Sequence, residues 1–228
     1  MIAHKKEFYG GFAMIIVFAA IMVMVFMPVF AGKNGLEYMD QLYNSISKGS
    51  AYYIPDVKEK AAAFGGNSVS VTLEMASPDQ AEQTAVILEK SGASVNVSGP
   101  ELNVTGDLGK ILNNCLDDAD LMYHNKGQAI AEKYGYNEKQ ALFNWWTALK
   151  AMDKDLKEQS KFSEAKMAAQ VIKKAVESSY NYYKIEPQKI TDRLGVVILS
   201  LIFYVGYTLW YGFGVMFMFE GWGMKLEH

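Results

Sequence analysis

Side chains able to do acid–base, nucleophilic or metal chemistry are scarce in this 228-residue chain, which holds three histidines and one cysteine. His124 follows Asp117, Asp118 and Asp120. On a helix Asp117 and Asp120 share the face of His124 while Asp118 points elsewhere, so the raw material of a carboxylate–imidazole metal site is present. The plainer expectation is a solvated acidic face closed by a histidine that suits the negative end of a helix. Gly106-Asp-Leu-Gly109-Lys110 invites comparison with a phosphate loop. That pattern needs Gly at 104 and Ser or Thr at 111, where this chain has Val104 and Ile111. A turn leading into a helix is expected there instead. Asn96-Val-Ser98 and Asn103-Val-Thr105 match glycosylation sequons. His228 ends Leu226-Glu227-His228, which reads as the start of a vector-derived polyhistidine tag and is set aside with it.

Other inventories narrow the field further. Arg193 is the only arginine and the formal net charge is −3, which argues against nucleic acid as a partner. The lone Cys115 forbids an internal disulfide. Met14, Met22, Met24 and Met27 suit packing better than soft-metal passage. Trp145-Trp146 and the tyrosine clusters are expected as core and interface anchors rather than a quinone site. The expectation is a non-enzymatic protein with no catalytic, cofactor-binding or metal-ligating residues and no cofactor.

The distribution of charge says what kind of elements must hold these residues. Mean hydropathy is −0.01, the value of an ordinary soluble chain. Yet every charged residue except Lys5, Lys6, Glu7, Glu220, Lys225 and Glu227 lies between Lys33 and Arg193. Two charge-free runs result, 8–31 and 194–219, each longer than the roughly 20 residues needed to cross a bilayer. Tyr9 and Trp222 are expected as interfacial anchors, together with Tyr180, Tyr182 and Tyr183 before the second run. No His lies in either run, which excludes a bis-His haem within one chain's spans. The first run exceeds the apolar core of about 7–15 residues typical of a cleaved signal peptide, so an uncleaved anchor is expected. Lys5 and Lys6 precede it and favour a cytoplasmic N-terminus. The expected plan is a cytoplasmic segment 1–7, a span 8–31, an extracytoplasmic domain 32–136 and a helical stalk or hairpin 137–186. A hinge 187–193, a span 194–219 and a cytoplasmic tail 220–228 complete it, in a bacterial inner membrane.

Periodicity fills in the middle. Leu36–Ser47 and Pro55–Phe64 read as short helices, and Ser68–Met75 alternates as a half-buried strand. Ser77-Pro78-Asp79-Gln80 starts a helix with a capping box. Strands follow around Val95/Val97 and Leu102/Val104, turning at Gly99-Pro100, and Asp107 caps a helix through Met122. The fold class is α+β: two transmembrane helices flanking a β-α-β-β-α open-faced sandwich with a long helical stalk or hairpin. From Asn137 to Tyr183 there is no Gly or Pro. Trp145, Leu149, Met152 and Leu156, then Ala165, Ala168, Ile172, Ala175 and Ser179, recur at coiled-coil spacing. The polar stretch 157–163 favours two helices turning near Ser160 over one long helix.

This layout is similar to that of polysaccharide chain-length regulators. The chain has Pro187 alone where that family is Pro-rich, and its loop is shorter, so no residue is carried over. The expectation is a membrane scaffold or structural subunit, a homo-oligomer or partner of other membrane subunits, with the lipid bilayer itself as a partner. Its helix contacts would run through Gly195, Gly206, Gly212 and Gly214, which let helices approach closely, and through Trp145, Leu149, Met152, Leu156, Ala168, Ile172 and Ala175 of the seam. A channel subunit and a ligand sensor are the alternatives.

Overall fold

Pro28 ends the first helix. It disfavours helical geometry at the preceding residue, and Met27 accordingly leaves α1 (Lys5–Phe26) with a ψ of 149°. The structure, a computed structural model, describes residues 2–30 and 32–224. Ala31 of the expected first span and the expected tag residues 226–228 fall outside them. The helix thus begins earlier and stops sooner than the charge-free run, because helical propensity carries through Lys5, Lys6 and Glu7 while proline does not. The last helix, α10 (Ile190–Gly221), likewise extends past 194–219 and absorbs most of the expected hinge. Both helices are long and apolar enough to cross a membrane.

Between them lie α2 (Gly35–Ser50), α3 (Ile54–Ala62), β1 (Ser68–Glu74), α4 (Pro78–Lys90), β2 (Ser94–Ser98), β3 (Glu101–Asp107) and α5 (Leu108–Tyr123). There follow α6 (Gly127–Tyr134), α7 (Glu138–Glu158), α8 (Phe162–Val171), a π-helical turn (Ile172–Val176) and α9 (Glu177–Asn181). The chain divides into two compact units, 1–47 with 187–228, and 48–186. The second unit takes in most of the expected domain 32–136 together with the expected stalk 137–186. The stalk helices carry fully buried faces and must be packed within the unit whose sheet they cover.

The sheet order is β1-β3-β2, antiparallel throughout, with Val71 opposite Val104 and Val95 opposite Val104 on the other side. Alternation sends Val69, Val71, Leu73, Leu102 and Val104 into the core, against residues of α4, α5 and α7 such as Leu88, Leu112 and Trp145. The opposite face is polar: Thr72 donates to Asn103 Oδ1 at 3.0 Å and Asn103 to Glu101 at 3.1 Å. The expected caps are in place. Ser77 Oγ accepts from Gln80 N at 3.2 Å, and Asp107 accepts from both Lys110 N and Gly66 N.

The expected turn near Ser160 is a Schellman ending. Ser160 adopts φ 61° and Lys161 N donates to Leu156 O at 2.8 Å, so α7 and α8 form a hairpin. The π-helical turn inserts one extra residue per turn. It lets Ala165, Ala168, Val171, Ala175, Val176 and Ser179 all turn inward, where the regular spacing had included only part of that set. Helix α6 was not expected; its eight residues are too few for a periodic signal.

Asp118 is completely buried and organises three helices. Its carboxylate accepts from Lys133 Nζ (2.7 Å) and Tyr134 OH of α6 and from Trp145 Nε1 (2.8 Å) of α7. Burial and this carboxylate push the Tyr134 phenol well above its usual pKa, so it remains a donor. A buried ion pair contributes little over an apolar equivalent, but removing one member strands the other. We therefore expect Asp118→Ala to cost about 3–5 kcal/mol, read as a lower melting temperature of the full chain in detergent. Asp118→Asn, which keeps an acceptor, should lose less.

Candidate functional site

Of the residues that suggested chemistry, the fold keeps Asp120 beside His124 and commits Asp117 and Asp118 elsewhere. Asp117 pairs with Lys58 at 2.8 Å, Asp118 faces the core, and Asp120 accepts from Tyr52 OH at 2.6 Å. His124 caps α5, its Nδ1 lying 2.9 Å from Asp120 O and 3.3 Å from that residue's carboxylate. Among the described residues no group of three or more His, Cys, Asp or Glu side chains is placed to hold a metal. Sequence reasoning missed the burial of Asp118, although a signal existed. Ile111, Cys115, Asp118 and Met122 recur at 4-3-4 spacing on the apolar stripe. Gly109 of the Gly-Lys pair is explained by packing, since a Cβ there would lie 2.6 Å from Gly65 N. Cys115 is buried, which raises its thiol pKa well above the usual value and suppresses its reactivity.

The apolar helices carry the clearest site of close contact. They run antiparallel: Phe8 meets Trp222 (5.7 Å between ring centroids), and Phe18 meets Tyr207 (5.9 Å) and Tyr211 (5.1 Å). Trp210 Nε1 donates to Met14 O at 2.9 Å. A Cβ on Gly11 would come within 2.6 Å of Gly214 O, and one on Gly214 within 3.0 Å of Ile15. Gly221 lies against the backbone of Phe8. Of the four glycines expected to mediate helix contact, only Gly214 meets another helix among the described residues; a Cβ on Gly195, Gly206 or Gly212 would meet none of them within 4 Å. The missed signal is the 4-3-4-3 recurrence of Tyr207, Tyr211, Gly214, Met218 and Gly221, a seam whose small members happen to be glycine.

The expected oligomer seam of the stalk is placed differently. Trp145, Leu149, Met152, Leu156, Ala168 and Ala175 have no exposed surface, and Ile172 is partly buried against the same core. Their seam is closed by the chain's own helices. Among the expected interface anchors, Tyr9 and Trp222 are exposed on the apolar pair. Tyr183 instead donates to Glu138 at 2.9 Å within the α/β unit, and Tyr182 packs against its core. Tyr180 lines an open cleft of about 250 Å³ with Phe143, Trp146 and Glu177 beside the π-helical turn. Trp146 Nε1 donates to Glu177 at 3.0 Å there.

A second buried charge stands where the α/β unit begins and ends. Lys48 is almost wholly enclosed. Its three ammonium protons meet Asn125 Oδ1 (3.0 Å), Tyr182 O (3.0 Å) and Ile185 O (2.7 Å). Asn125 takes up the left-handed conformation at the end of α5 (φ 60°), and its side chain also binds Lys184 N and Glu186. Tyr123 OH donates to the Lys48 carbonyl. Burial lowers the Lys48 pKa below the usual lysine value, an effect that Glu186 partly offsets.

The chain matches no protein-family model, no curated protein and no solved structure.

Two outcomes are expected. Gly11→Leu or Gly221→Leu should destabilise the detergent-solubilised chain by about 1–3 kcal/mol through overpacking, whereas Gly206→Leu should change its melting temperature little. Lys48→Ala frees the segment 182–186, so trypsin should cut at Lys184 and Lys189 at least five-fold faster than in the unaltered protein, as followed by mass spectrometry.

Proposed function

We propose that this chain is a membrane-anchored, non-enzymatic scaffold, a subunit of an oligomeric complex of the bacterial envelope. In this reading α1 and α10 cross the inner membrane as an antiparallel pair, with both termini cytoplasmic and the α/β unit outside. The observation that carries it is the surface the pair leaves uncovered. Leu199 and Ile202 are 67% and 63% exposed, and Val23, Phe203, Val205 and Leu209 join them. So much apolar surface on a helix pair is stable in lipid or against further apolar helices, and costly in water. The charged residues of the two helices stand only at its ends, Lys5, Lys6, Glu7 and Glu220 at one and Asp192 and Arg193 at the other. The ionisable side chains buried in the α/β unit are spent on structure: Asp118 on α6 and α7, Lys48 on the unit's own ends. That favours assembly over catalysis as the unit's work.

The test combines topology and association. Glu59→Cys, on the exposed face of α3, should react with a membrane-impermeant maleimide added outside intact cells, while Cys115 stays unlabelled. The protein should remain in the membrane pellet after carbonate extraction. Chemical crosslinking of native membranes should yield discrete species larger than the monomer. A strictly monomeric particle in detergent with no crosslinked partner in membranes would overturn the scaffold, and reproducible conductance in reconstituted bilayers would replace it with a pore.

A further inference from the structure

The sheet has one guarded edge and one open one. At the β1 edge α7 lies alongside, and Gln159 Nε2 donates to Ser70 O at 2.8 Å. At the other edge lies β2, Ser94-Val95-Asn96-Val97-Ser98. Its free groups follow from the parity of the ladder. Met75 N donates to Pro100 O at 2.9 Å, so the alternate residues Leu102, Val104 and Gly106 exchange hydrogen bonds with β1. Glu101, Asn103 and Thr105 therefore turn their backbone groups toward β2, to Ser98, Asn96 and Ser94. The N–H and C=O groups of Val95 and Val97 point away from the sheet. Among the described residues none of these four groups has a hydrogen-bond partner.

We propose that β2 pairs antiparallel with β2 of a second copy of this chain, about a two-fold axis through Asn96. The strand reads the same in both directions. A two-fold axis at its centre sets Val95 against Val97 of the other copy, Ser94 against Ser98, and Asn96 against itself. Four main-chain hydrogen bonds form, two between each Val95 and the opposite Val97. Isologous pairing brings each central residue against its own copy, so a charge there would repel itself. β2 carries no charge, whereas β1 ends in Glu74 and β3 holds Glu101 and Asp107. Edges kept from pairing usually bear lysine, proline or a bulge, and β2 has none of these within it. Val97 lies on the face that is apolar elsewhere in the sheet but is 39% exposed at this edge. Pairing extends that apolar face across the axis and joins two three-stranded sheets into one of six strands.

This inference rests on the scaffold reading and names its partner and surface. In the new ladder Asn96 occupies a non-hydrogen-bonded position, where Cα atoms are about 4.5 Å apart, within disulfide reach. Asn103 is on the same sheet face one strand further in. Its two copies would lie about 14 Å apart, three strand spacings of roughly 4.8 Å, beyond that reach. In membranes containing the full chain, mild oxidation should convert most of Asn96→Cys to a disulfide-linked dimer, and at least ten-fold less of Asn103→Cys. Cys115 is buried and should not contribute. Val97→Pro removes only an outward N–H, so it spares the β3 ladder. Added to Asn96→Cys, it should lower dimer yield at least ten-fold with little change in melting temperature. Monomeric Asn96→Cys, equal yields at 96 and 103, or a dimer indifferent to Val97→Pro each overturns edge pairing. If lysine-directed crosslinking still captures an oligomer in that case, the scaffold stands and only its assignment to β2 falls. If neither method captures one, both fall.

Discussion

A unit inserted between two other segments must bring its entry and exit together, and here a single buried ammonium does so. The chain enters the α/β unit at Lys48 and leaves it at Glu186. Enclosing an unpaired ammonium costs several kcal/mol. Three acceptors match its three protons, and two of them are carbonyls of the departing segment. The third is the side chain of Asn125, whose own backbone ends α5 in a conformation that asparagine tolerates better than most residues. The charge is thus affordable only when the entry, the exit and the end of α5 coincide. That condition turns a desolvation penalty into geometric specificity.

Asp118 imposes the same logic on the centre of the unit. Its oxygens are met by α6 and α7, and Asn114, one turn earlier on α5, accepts from Lys133 and donates to Tyr134. No rotation of α6 or α7 about its axis keeps Lys133, Tyr134 and Trp145 all on these acceptors. The apolar seam through Leu149 and Met152 would tolerate small slips, since dispersion contacts are non-directional. The polar centre does not. Between α4 and α7 an amide set plays a similar part, with Asn144 joining Gln80, Gln83 and Gln140.

These dependences explain what was legible in the sequence. Elements whose signal is local were readable: the alternation of Ser68–Met75, the caps at Ser77 and Asp107, the polar break around Ser160 and the charge-free runs. Periodicity reports that a face is buried, but not what buries it. Trp145, Leu149, Met152 and Leu156 were therefore legible as a seam, while the chain's own α8 and sheet as the covering elements were not. The glycines posed the same difficulty. Gly206 and Gly214 look alike in a hydrophobic run, and only the spacing of Tyr207, Tyr211, Met218 and Gly221 separates the contact face from the open one. Asp118 and Lys48 were harder still. A charged residue on an apolar stripe is ordinarily an exception to be discounted, and its partners lie in helices too short, or loops too irregular, to announce themselves.

The location of unspent binding capacity follows from the same accounting. The charges that stood out in the α/β unit are committed, Lys48 and Asp118 to its interior and Asp117, Asp120 and Glu138 to ion pairs and hydrogen bonds at its surface. Two kinds of surface stand out among the described residues: main-chain groups along β2 and the apolar flanks of α1 and α10. Neither discriminates among small-molecule ligands, because hydrogen-bonding main chain is common to all proteins and apolar contact is non-directional. Both gain when extended, one by another strand and the other by lipid or another helix. Specificity must then come from symmetry and register rather than from chemical recognition. In the proposed pairing a short neutral strand that is its own reverse supplies both, since a two-fold axis at Asn96 fixes the register at one residue.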